Sequence, residues 1–226
     1  VYKDMNGKKY AENISQLALA NVDFDMQNRH HISYNLMMIH ANTQSVGDYN
    51  GKNSIFSDDY ENLGFTRRQQ TNDNMLIVNQ LMTNWGLTKS LSLDAGASYN
   101  MVKGYEPDRR INNLTKAEDG YTLLRGNSQQ RYFSTLDEDD LNVKAGLVYR
   151  LKDNIEEISN VRFGYTGRFV DDNFKATEYN LTVGHVSTLP SLDDFSLDDY
   201  YNQENFASDW FCLLYTSPSP RDYAAS

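Results

Sequence analysis

The densest grouping of chemically capable side chains runs from Tyr105 to Arg110 (Tyr-Glu-Pro-Asp-Arg-Arg), followed by Tyr121, Arg125, Arg131, Tyr132 and Phe133. A guanidinium offers a bidentate fork for carboxylates, and a tyrosine ring gives a flat apolar face for a sugar or another ring. Tyr105, Arg109, Arg110, Arg125, Arg131 and Tyr132 are therefore the candidate ligand-binding residues, against the plainer reading of loop solubility and loop packing. Arg67 and Arg68 have the same status. Residues Ser191 to Tyr200 repeat five residues twice and supply Asp193, Asp194, Asp198 and Asp199. Four carboxylates suit a hard cation such as calcium. The Asp-x-Asp-x-Asp-Gly spacing is missing, so the segment reads as a solvated acidic loop and no metal site is assigned. His30 and His31 are neighbours that point opposite ways on a strand end, and nothing supplies a third, convergent zinc ligand. His40 and His185 are isolated. No Gly-x-Ser-x-Gly elbow and no glycine-rich phosphate loop occur, so neither an enzyme nor a cofactor is expected.

Composition narrows the partners. The 226 residues carry 21 Lys+Arg against 31 Asp+Glu, a formal net charge of −10. Nucleic acid is excluded as a partner, because a polyphosphate needs a basic face. Aromatic content of 12% argues against disorder. Mean hydropathy is −0.67, and no apolar run approaches the ~18 residues of a membrane-spanning helix. A membrane β-barrel escapes that test, since its strands are only half apolar.

The single cysteine, Cys212, opens a segment reaching Asp222 that reads like the translation of a transposase-type sequencing adapter. Residues 212–226 are set aside as a non-native tail, expected to lack packing against the rest, and residues 1–211 are treated as the native part. That part has no cysteine, hence no disulfide, thiol nucleophile or thiolate metal site. A genuine Ser/Pro-rich tail is the competing reading. The chain opens at Val1 without an initiator Met or a leader, which reads as processing or truncation.

The elements that must carry these residues show a period of two. From Leu91 to Met101 the odd positions are Leu, Leu, Ala, Ala, Tyr and Met, alternating with Ser92, Asp94, Gly96, Ser98 and Asn100. Leu141–Leu151 and Val161–Phe169 repeat the pattern, and Lys144, Arg150, Arg162 and Arg168 stand on their other face. Ala18–Met26 alternates too, Ile32–Met38 more weakly, and Met75–Trp85 is ambiguous. Six strands in three hairpins follow. Short connections are expected near residues 28–30, 86–89 and 152–157. Long loops are expected over residues 44–74 and 102–140 and after about Thr182. Compact soluble domains rarely hold such loops, whereas outer-membrane barrels join strands by tight turns at one end and long loops at the other. Tyr34, Trp85, Tyr99, Tyr149, Tyr165 and Phe169 fall near strand ends, where interfacial aromatic girdles sit. After Phe169 the apolar parity changes across Asp171, Asp172 and Asn173, which reads as a bulge or, alternatively, as a tight turn into a seventh strand.

On residues Asn160–Phe169, Phe174–Leu181 and Thr88–Tyr99, and on the aspartate-rich outer loop, the chain resembles the barrel of a TonB-dependent outer-membrane receptor, SusC/RagA-like or related. The resemblance covers nearly all of residues 1–211. It implies an all-β, antiparallel transmembrane barrel fragment, about six strands of a 22-stranded barrel with long extracellular loops. It implies energy-coupled uptake of a small-molecule, oligosaccharide or peptide solute through the outer membrane of a Gram-negative cell. It also implies outer-membrane lipid as surroundings, an inner-membrane energy-coupling protein engaged through an N-terminal region, and a surface lipoprotein as a further partner. A passive porin-like or adhesin barrel and a soluble β-sandwich binding module are the alternatives.

Overall fold

The computed structural model describes residues 3–26, 29–118, 120–124, 126–154, 157–183, 192, 203–208 and 211–216. The chain runs β1 (Lys3–Met26), β2 (His30–Asn53), β3 (Leu63–Gly86), β4 (Leu91–Ala117), β5 (Gly120–Leu123), β6 (Gly126–Asn154), β7 (Glu157–Val183) and β8 (Phe211–Thr216). A one-turn helix, α1 (Gln203–Ala207), precedes β8. Every pairing is antiparallel, in the order β1-β2-β3-β4-β6-β7-β8, with short β5 paired to β4. Among the described residues neither β1 nor the far side of β7 and β8 meets a further strand. The result is an open antiparallel sheet, the form a piece of barrel wall takes.

Six long strands match the sequence reading; their lengths do not. Residues 44–74 and 102–140 are not long loops. The strands run through them, and the connections shrink to residues 54–62 and to the β5 hairpin around residues 118–125. The added stretches are rich in Asn, Gln, Thr and Arg, so they carry no apolar period. Their strand character comes from ladder pairing and from cross-strand bonds such as Thr66 Oγ1 donating to Asn113 Oδ1 at 2.7 Å. Strands of 24 to 29 residues reach roughly 80–95 Å at ~3.3 Å per residue, while ~9–11 residues cross a bilayer. The loop-length contrast between barrel and sandwich therefore loses its force for these two connections.

Two further expectations change. β7 passes through residues 171–173 in unbroken register, Asp171 opposite Asp139 and Asn173 opposite Asp137, so neither bulge nor turn interrupts it. The parity change moves Phe174 to the opposite face of a straight strand. Secondly, the backbone of Phe211–Thr216 pairs with Glu178–Val183 as β8, so the start of the tail does not stand apart from the sheet. Edge pairing joins backbone groups and accepts any β-prone segment, which explains how Cys-Leu-Leu-Tyr-Thr takes the place.

A bulge does occur, on β4. From Tyr105 to Arg110 β4 takes one residue more than β3 does between Asp73 and Gln69, and Glu106–Arg109 likewise outruns Ser134–Tyr132 of β6. The extra residue falls at Pro107 and Asp108. Proline has no N–H to give a ladder, so it sits where pairing is already interrupted. Above the bulge the strand's odd residues change face.

Register fixes which side chains share a face, since directly opposed residues of a ladder point the same way. Phe24–Ile32–Thr83–Ala95–Ala145–Tyr165 and Val22–Tyr34–Leu81–Ala97–Val143–Gly167 are two complete rows across six strands. The matching rows of the other face read Asp23–Ser33–Met82–Gly96–Lys144–Thr166 and Asn21–Asn35–Gln80–Ser98–Asn142–Arg168. At the level of these rows the sheet thus has one apolar and one polar face; nearer the bulge Leu19–Met37–Val78 and Leu17–Ile39–Leu76–Val102 stand on the polar side, and Asp139 and Asp171 on the apolar one. The apolar face lies open: Phe163 is 81% exposed and Leu147 42%. The buried apolar cluster, Phe65, Leu114, Leu123, Leu181 and Val183, lies at the opposite end, with Tyr121 and Leu192 packed on it.

Candidate functional site

Five of the six candidate residues, all but Arg125, sit on strands around the β4 bulge, and these five do not form one site. Arg109 is opposite Tyr132, on the side continuous with the polar face, with its guanidinium 4.1 Å from the ring centroid. Glu106, on the same side, places a carboxylate oxygen 3.6 Å from Arg109. Arg110 and Arg131 are opposed on the other side, where both turn to Asp108. Arg110 Nε donates to Asp108 Oδ2 at 2.6 Å, and Arg131 donates through Nε and Nη2 at 3.1 and 2.6 Å. Burial works against an ionised Asp108, but the hydrogen bonds and charges of Arg131 and Arg110 outweigh it and hold the carboxyl below its ordinary range. That cluster is saturated with itself. Tyr105 lies below the bulge, opposite Asp73 and Thr135, and is half exposed. Arg125 lies outside the described residues, as do Asp193, Asp194, Asp198 and Asp199. Tyr121 belongs to the apolar cluster, ringed by Phe65 and Lys116. Of the five described, only Arg109 and Tyr132 come together on the polar side.

Two polar residues that sequence reasoning passed over or left unresolved are the most deeply placed. Gln129 is fully buried. Its Oε1 accepts from the backbone N–H of Asn113, and its Nε2 donates to the backbone oxygens of Asn113 and Leu124. β4 pairs with β6 up to Ile111 and with β5 from Leu114, so Asn113 falls in the gap between partners. The glutamine amide stands in for the missing strand. Arg67 is 4% exposed; its Nε and Nη2 grip Asp48 at 2.8 and 2.9 Å, and Nη2 also reaches the Leu192 carbonyl at 2.8 Å. It ties Asp48 of β2 to the backbone of Leu192. No signal in the sequence separated it from its neighbour Arg68, which bonds Gln70 and is exposed.

Lower down, amides and charges bond sideways across the polar face. Asn21 donates to Asn35 at 2.6 Å and Asn35 to Gln80 at 3.4 Å. Asn84 donates to Asp94, and Arg168 holds Asp140 through two bonds at 3.1 Å. His30 and His31 do diverge. His30 stacks on Trp85 at 4.5 Å, while His31 lies between Asp25 at 2.8 Å and Asp23 at 3.7 Å on the polar face. Among the described residues no three His, Cys, Asp or Glu side chains are grouped to hold a metal ion.

Chemically, the polar side of the sheet offers hydrogen-bonding amides and charged groups. No protein-family model matches the chain, and no curated protein matches it.

Proposed function

We propose that this sheet is part of the wall of a TonB-dependent outer-membrane receptor, which takes up a solute by transport energised from the inner membrane. The observation that carries the reading is the pair of continuous rows below the bulge. An apolar face that is fully in register over six strands, and open, has no protein layer on it among the described residues; lipid is the solvent that suits it. The opposite face bonds laterally through amides and charges, as a hydrated lumen allows. The strands then rise far beyond a bilayer, and on the way they carry Arg109, Tyr132 and Glu106 on the side continuous with the polar face, where an arriving solute can meet the wall.

Site-directed labelling of the full-length protein in bilayers tests the orientation. In a Cys212→Ser background, Leu147→Cys and Phe163→Cys should resist a charged thiol reagent, and Asn142→Cys and Thr166→Cys should react. Equal reactivity at all four positions would overturn the barrel reading. Energy coupling has its own test: uptake should stop when the inner-membrane potential is collapsed, whereas a passive barrel would go on conducting.

A further inference from the structure

His40 stands alone in the chain, but the sheet surrounds it. Register sets Met75 of β3 directly opposite it, and one row lower Met38 of β2 and Met101 of β4 flank Ile77. Directly opposed residues share a side, and alternate residues of a strand return to it. His40 and three of the chain's seven methionines therefore occupy two adjacent rows on one side of three neighbouring strands. The imidazole is held in place, with His40 Nε2 2.6 Å from Asp73 Oδ1. A carboxylate only accepts, so Nε2 carries the proton and, in the neutral ring, Nδ1 keeps its lone pair. None of these side chains is deeply buried: Met38 is 36% exposed, and His40, Met75 and Met101 are partly so. Lys103, opposite Met75, is the cation of these rows, and the carboxylates of Asp73 and Asp137 offset it.

We infer that His40 Nδ1 and the thioethers of Met75, Met38 and Met101 form a binding site for a soft monovalent cation of the Cu(I) and Ag(I) type. Thioether sulfur is polarizable and uncharged, so it takes soft cations and leaves hard ones to oxygen ligands. Zinc does not suit this set, because zinc sites are built from thiolate, imidazole and carboxylate. A ligating histidine characteristically gives its other N–H to a carboxylate, which fixes ring and tautomer, and Asp73 stands in that place. Met75 is the centre. It has His40 across the ladder and Met38 and Met101 on its diagonals, at the ~7–8 Å over which long side chains of one face still meet. Apolar packing accounts for methionine on this side, but not for a carboxylate-braced histidine opposite the central one. The inference goes beyond transport and does not depend on it.

Silver nitrate added to the full-length protein in chloride-free buffer tests it, in a Cys212→Ser background with any other thiols alkylated. Two readouts serve: affinity by titration calorimetry, and the rate at which hydrogen peroxide converts each methionine to its sulfoxide, mapped by mass spectrometry. A sulfur whose lone pair is held by metal is closed to oxygen transfer. Silver should shield Met38, Met75 and Met101, while Met82, on the other side of the sheet opposite Gly96, goes on oxidising. Zn(II) should shield none of them. Asp73→Ala should weaken silver binding about 10–100-fold, the usual effect of removing a ligand's outer partner. Met75→Leu and His40→Phe, which remove ligands themselves, should weaken it more. Leucine matches methionine closely in volume, so the ladder should stand, and the shielding map of the unaltered protein decides even where a variant fails to assemble. Equal shielding of Met82, shielding by Zn(II), affinity unchanged in both ligand variants, or no shielding at all overturns the site.

Discussion

The two ends of this sheet obey different rules. Below the β4 bulge the strands bury almost nothing: Ser33 and Val148 are the buried residues there among those described, while Phe24, Leu81, Leu147 and Phe163 lie open. Above it, Phe65, Leu114 and Leu181 are buried together with Arg67, Asn112 and Gln129. The upper end carries its own interior, polar groups included, and satisfies it by internal bonds. The lower end has sorted its residues by face and leaves the burial of one face to its surroundings. A sheet can be folded locally at one end and depend on its solvent at the other.

The sharpest way to break the comparison is at the upper end. Asp48→Asn removes the carboxylate charge that the buried guanidinium of Arg67 grips, at an expected cost of about 3–5 kcal/mol, read from urea unfolding of the full-length protein in bilayers. An effect below the size of an exposed pair would mean that the upper end is not self-contained. At the lower end, Leu147→Arg should cost about 2–4 kcal/mol near a bilayer midplane, and Lys144→Arg close to nothing. Equal costs would erase the distinction between faces. Gln129→Ala should cost about 1–3 kcal/mol by removing both amide bonds to the Asn113 backbone, with hydrogen exchange quickening at Asn113 ahead of Ile111. Arg109→Ala should weaken solute binding by about 0.5–2 kcal/mol through loss of the stack on Tyr132, while Arg110→Ala, on the other side, should leave affinity unchanged. The smallest effect concerns pH. Since Asp108 is held below its unfolded value near ~3.9, its contribution is fully present above that value and fades as pH falls through the depressed one. Arg131→Gln should flatten that acid limb of the stability curve.

How far the sequence could be read follows the same division. Odd positions from Leu91 to Met101 and from Val161 to Phe169 declare a strand with two unlike faces, and the structure has them so. Asn112, Asn113 and Thr115 declare nothing, because a strand that is polar on both sides has no period to detect. The division of Arg109 from Arg110 depends on one extra residue at Pro107 and Asp108, and the proline alone does not say which neighbour turns inward. Gln129 was the least legible. Its function is to replace backbone, and any residue type that can reach would look equally ordinary in the chain.

The bulge at Pro107 also sets how this wall can be rearranged. Above and below it, β4 keeps opposite phase with respect to its faces, so Glu106 marks a seam between two modules. A chimera that exchanges the upper module with that of a relative must bring its own bulge, or supply none and keep this one. A graft made just above Arg109 would preserve the seam and deliver each new side chain to its intended face. A graft that drops the single extra residue would turn the whole transplanted segment inside out while leaving every hydrogen bond of the ladder available.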